Sequence, residues 1–150
     1  MRIAETSGLG FLLASGVSTA ACSISVTPLN FGVYDVFATA QVRSVGFFNI
    51  NCDQVPAPTV TISVGPSSTT GIINSRGMRQ NGGTDILEYN VFVDSSLAQP
   101  WGDGISGGIT VSQTVSRNRP WSAAVYGRLP PRQNVVAGGY SDRLLVTITW

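Results

Sequence analysis

The sequence predicts an all-β protein, an antiparallel Ig-like sandwich of about seven strands, and three observations carry that expectation. No stretch beyond residue 21 sustains apolar residues at i, i+3, i+4 and i+7, the spacing of a helix face. Apolar and polar residues alternate instead in short runs, the period of a strand with one buried face. Glycine, proline and serine clusters separate those runs as turn signals do.

Taken in order, CSISVTPL places Cys22, Ile24 and Val26 on one face and serines on the other. VGFFNINC repeats the pattern with Phe48, Ile50 and Cys52, so both cysteines point toward one core. PTVTISVG offers Val60, Ile62 and Val64, and ILEYNVFVD offers Leu87, Tyr89, Val91 and Val93. GITVSQTV and SAAVYGRL are shorter strands, and the terminal run sets Leu144, Val146, Ile148 and Trp150 on one side against Leu145, Thr147 and Thr149 on the other. Between them, Val64 to Asp85 reads as the longest irregular piece, with Ile72 and Ile73 near its middle. A loop of more than about 12–15 residues is usually functional or mobile. SLAQPWGDGISGG is a second loop, with Trp101 between Pro100 and a Gly-Asp-Gly turn.

Ahead of these runs stands MRIAETSGLGFLLASGVSTAAC. Arg2, a short apolar run from Leu9 to Val17 and small residues up to Ala21 have the order of a bacterial secretory leader cleaved after Ala20 or Ala21. The run is shorter than the about 20 apolar residues that cross a bilayer as a helix. The expected division is a leader over 1–21 and one domain over 22–150, a length that suits a single core. In an oxidising compartment Cys22 and Cys52 are expected to pair. The competing reading is a lipid-bearing Cys22 directly after the leader, although Thr19 stands where that signal usually carries leucine. The two readings exclude each other, because an acylated Cys22 leaves Cys52 an odd thiol.

Charged residues make up only 11% of the chain, against a usual share of about a quarter. Every basic residue is an arginine, and the formal net charge is +1. No clustered positive field is present to hold nucleic acid or an anionic membrane. The arginines are scattered singly and read as solvated or locally paired side chains. With no histidine and no lysine, the commonest catalytic bases are missing. Ser141 and Asp142 are neighbours, and in a strand neighbours point to opposite faces. A carboxylate-only glycosidase would need two of Asp35, Asp53, Asp85, Glu88, Asp94, Asp103 and Asp142 about 5–10 Å apart in one cleft. Two cysteines without histidine do not make a tetrahedral zinc set, and the Gly-Asp-Gly turn offers calcium a single carboxylate. The expectation is a non-enzymatic protein without metal or cofactor, whose chemistry is binding and assembly.

PLNFGVYD, VGFFNINC, RGMRQNGGTDILEYNVFVD, WGDG, VYGRLP and AGGYSDRLLVTITW follow one another in an order that resembles the spore coat protein U domain family, over essentially all of 22–150. That family includes subunits of archaic chaperone-usher pili, adhesive fibres that take part in biofilm formation. The resemblance implies a sandwich lacking its last strand, with a hydrophobic groove between the first and final strands. A periplasmic chaperone, and then a neighbouring pilus subunit, would lay an extended segment into it, with an outer-membrane usher guiding export to the cell surface. Carried over by position, the groove walls are Ile24, Val26, Leu144, Val146, Ile148 and Trp150. With at most Ala21 ahead of Cys22 after cleavage, the chain would accept a strand and have none to give, which points to the tip of a fibre. Exposed loops at Ile72, Ile73 and Trp101 would then meet the surface, although packing within a turn is the competing role for Trp101. A different class of function is a self-contained Ig-like module that binds carbohydrate or protein.

Overall fold

Alternation decides most of the architecture. The computed structural model describes residues 22–150 in full and residues 2–7 as backbone. The strands are β1 Arg2–Ser7, β2 Cys22–Thr27, β3 Val42–Cys52, β4 Thr59–Ser67, β5 Arg76–Gln80, β6 Ile86–Phe92, β7 Val111–Thr114, β8 Trp121–Leu129, β9 Tyr140–Ser141 and β10 Arg143–Thr149. Among the described residues there is no helix. The leader expected over 1–21 lies outside the described residues apart from 2–7.

The strands form two sheets, one in the order β2-β3-β8-β6-β5-β9 and the other in the order β1-β10-β4-β7. Every pairing is antiparallel except that of β1 with β10. Inward residues of both sheets meet in one core: Phe48 and Ile50 of β3, Val60, Ile62 and Val64 of β4, Leu87, Tyr89 and Val91 of β6, Val125 and Leu129 of β8, and Leu144, Val146 and Ile148 of β10. Their partners along each strand face outward, so β2, β3, β8 and β10 keep an alternating burial pattern.

All seven expected strands are present; β1, β5 and β9 lie outside that expectation. The piece from Val64 to Asp85 is not one long loop, because β4 runs on to Ser67 and β5 occupies Arg76–Gln80. The strand escapes a hydrophobic reading because RGMRQ buries an arginine, a glycine and a methionine in succession instead of alternating apolar with polar.

Candidate functional site

The last long strand, β10, sits between two neighbours of different kinds. On one side it pairs antiparallel with β4. On the other it pairs in parallel with β1, from Arg2 against Arg143 to Ser7 against Ile148. The seam expected to stand open is therefore filled in the full chain by the chain's own residues 2–7. An unpaired row of N–H and C=O groups on a hydrophobic strand takes up an available segment, and β1 supplies it. Leu144, Val146 and Ile148 point inward and are buried, while Leu145 is half-exposed.

Register between β10 and β4 is interrupted by a bulge. Leu144 lies opposite Ser67 and Val146 opposite Val64, so Gly65 and Pro66 together face Leu145. The extra residue lets Val64 and Ser67, three apart, both point inward. Pro66 has no N–H to give, and the opened carbonyls need other donors. Arg76 of β5 provides them: Nε and Nη2 donate to Gly65 O at 3.2 and 2.7 Å, and Nη2 donates to Val64 O at 3.1 Å. Nη2 also donates to Trp101 O at 2.8 Å, and Nη1 donates to Asn90 Oδ1 at 2.6 Å. Arg76 is wholly buried, so of the two roles expected of the arginines, solvated or locally paired, the first fails here. Desolvation lowers its pKa to about 10, against the opposing pull of Tyr89, Asp142 and Asp103.

A second fixture stands at the start of β10. Asp142 is buried and accepts from Ser68 Oγ at 2.8 Å, Thr69 Oγ1 at 3.3 Å and the Tyr89 hydroxyl at 2.7 Å. The next residue is tied as well, since Ser68 N donates to Arg143 O at 3.2 Å and Arg143 N donates to Ser68 Oγ at 3.4 Å. Burial pushes the Tyr89 phenol well above the usual tyrosine range, with the charge of Asp142 and its hydrogen bond acting in the same direction.

The other expected site residues divide. Ile24 and Val26 are half-buried on β2, an edge strand of the opposite sheet, and pack against the same core as Leu144, Val146 and Ile148. Cys22 and Cys52 lie directly across β2 and β3 and form a disulfide, which leaves Cys22 no sulfur to acylate. Trp150 lies past the end of β10 and is 42% exposed. Of the proposed surface loops only Ile72 is exposed, at 53%. Ile73 and Trp101 are corrections, being 2% and 1% exposed. The Trp101 indole packs edge-on against Phe48 and donates to Ile62 O at 3.1 Å, so a large ring with one polar atom is satisfied inside the core.

Sequence reasoning missed Arg76, Asn90, Tyr89 and Asp142 as one buried polar cluster. The available signal was the bulge itself: the Gly65-Pro66 pair interrupts the alternation of Val60, Ile62 and Val64, and a strand broken that way needs donors from elsewhere.

The comparisons with known proteins agree with this architecture. The family model of the Spore Coat Protein U domain matches residues 9–147, beginning inside the stretch read as a leader. The chain is similar to Protein U of Myxococcus xanthus, 29% identical over 130 residues that cover 81% of this chain and 71% of that protein. Its fold is similar to that of a chain in the CsuC-CsuE chaperone-tip adhesion subunit pre-assembly complex from archaic chaperone-usher Csu pili of Acinetobacter baumannii, with a TM-score of 0.54 and 21% identity. That likeness covers 87% of this chain and 40% of the solved one, so this chain spans well under half of it. With 139 of its 150 residues under the family match, the chain belongs to the Spore Coat Protein U domain family.

Proposed function

We propose that this chain is a structural or adhesive subunit of an extracellular fibre of the archaic chaperone-usher kind, built by donor-strand complementation. The observation that carries the reading is the occupancy of β10: its outer edge is completed by a short parallel segment remote in sequence, not by a hairpin neighbour. An edge that accepts one six-residue strand through main-chain bonds can accept another from a different molecule. In this reading residues 1–21 are a leader, and its removal withdraws β1. A periplasmic chaperone then takes the vacated edge, an outer-membrane usher receives the complex, and a neighbouring subunit replaces the chaperone at the cell surface.

The magnitudes favour an obligate partner. Leu144, Val146 and Ile148 also pack against the rest of the core, so the upper bound on what a strand beside β10 contributes by shielding them is roughly 4–9 kcal/mol, at about 1.5–3 kcal/mol for each side chain fully buried. That is comparable to the whole stability of a domain, about 5–15 kcal/mol.

A second reading has its own support in β1, which closes the seam without a partner: a self-contained Ig-like surface module that binds carbohydrate or protein. Export of the chain with and without a candidate periplasmic chaperone separates the two. The fibre reading expects a mature amino terminus at Ala21 or Cys22, soluble protein only with the chaperone, and a one-to-one complex. A stable soluble monomer that keeps residues 2–7 would establish the self-contained module instead.

A further inference from the structure

A strand that exchanges one neighbour has to keep its register on the other. Slipping β10 by one residue would turn Leu144, Val146 and Ile148 away from the core. Slipping it by two would not be resisted by hydrophobic pattern, because Val60, Ile62 and Val64 of β4 repeat with the same period. Something aperiodic has to select the register, and β4 and β10 share two such features. One is the Gly65-Pro66 bulge, whose carbonyls are held by Arg76 from β5. The other is Asp142, held at one end of β10 by Ser68 and Thr69 beyond β4 and by Tyr89 from the facing sheet. Neither contact involves β1, so both persist whichever strand lies on the outer edge.

We infer that Arg76 and Asp142 are positioning residues of the seam: together they lock the register of β10 on β4 while its outer neighbour is exchanged. The inference takes its purpose from the strand-acceptor reading, whereas the register lock itself stands on the geometry alone.

Disulfide trapping in the full chain tests the lock. The pair Ser63→Cys with Thr147→Cys reports the observed register, in which these residues are opposite. Ser63→Cys with Thr149→Cys, or with Leu145→Cys, reports a two-residue slip in either direction. Mild oxidation of each pair is compared in the parent chain, in Asp142→Ala, in the milder Asp142→Asn, and in Val125→Ala, a buried change in β8 that destabilises without touching the lock. The parent and Val125→Ala should trap only at 63 and 147. Asp142→Ala should lose that product several-fold and gain a slipped one, with Asp142→Asn intermediate. Trapping in both Asp142 variants indistinguishable from that in Val125→Ala would overturn the inference. A second arm uses a chain whose own β1 is weakened by Ala4→Pro and Thr6→Pro, offered a labelled peptide of sequence RIAETS. Uptake, reduced several-fold by Asp142→Ala, supports the lock acting in strand acceptance. No uptake beside a positive trapping result would sink the strand-acceptor reading and leave the register lock in place.

Discussion

The Tyr89 hydroxyl donates to Asp142 Oδ2 at 2.7 Å, joining β6 of one sheet to the residue just ahead of β10 of the other. Both groups are buried, so neither can turn to water if the other is lost. Tyr89→Phe keeps the ring and its edge-on contact with Phe31 and removes only the donor. The expected cost is about 1–3 kcal/mol, the penalty for a buried charged acceptor that loses a partner. A denaturant midpoint shifted by that amount at unchanged slope is the check; an unchanged midpoint would mean that the bond contributes nothing.

The fold was legible in the sequence wherever one face of a strand is apolar. Phe48, Ile50 and Cys52, or Leu144, Val146 and Ile148, announce their face by period alone. β5 was not legible, because burying Arg76 depends on carbonyls that β4, β6 and the Trp101 loop bring together only in three dimensions. Asp142 was hidden for the same reason: adjacency to Ser141 is visible in the sequence, whereas the three donors come from positions 68, 69 and 89. Trp101 stands between two sequence readings, an exposed loop residue and a ring packed within its turn, and Phe48 with the Ile62 carbonyl decides for packing.

Alkaline pH should weaken the fold through Tyr89. Its phenol is held above the ordinary value of 10.0, so the folded chain keeps a proton that the unfolded chain gives up. The stabilising contribution is complete below about pH 10 and falls as pH rises beyond it. Arg76 acts with the opposite sign. Its depressed pKa of about 10, against 12.5 when solvated, costs stability at neutral pH and is relieved as pH climbs between those values. Comparing unfolding midpoints at about pH 8 and about pH 11 should show the parent losing more stability than Tyr89→Phe, from which the falling contribution is gone. Phenolate absorbance gives an independent reading, with Tyr89 ionising only as the parent chain unfolds.

Adjacent isoleucines offer a sharp contrast. Ile72 is half-exposed and Ile73 is buried. Ile72→Ser should leave stability within about 0.5 kcal/mol of the parent, as surface changes usually do. Ile73→Ala should cost about 2–5 kcal/mol through lost burial and the cavity left behind, and Trp101→Ala about 3–5 kcal/mol. Thermal unfolding of the three variants is the measurement. Equal stabilities for the two isoleucine variants would contradict this contrast in burial, and any adhesion to apolar surfaces that survives Ile72→Ser has to come from residues other than these three.

The disulfide between Cys22 and Cys52 joins β2 to β3 at a directly opposed pair, closing a separation of 30 residues. Among the described residues β2 has no other strand neighbour, so its place there rests on the ladder to β3, on Ile24 and Val26 packed against the core, and on this bond. Replacing both cysteines by serine should lower stability by about 2–4 kcal/mol, the range for closing a loop of this size in the unfolded chain. The loss should also be local. Hydrogen exchange ought to accelerate most along β2 and the adjoining edge of β3, while amides shared by β3 and β8 remain protected until global unfolding. Uniform acceleration across both sheets would show instead that β2 and the rest of the sandwich open as one unit, and the disulfide would then have to be read as a constraint on the whole domain.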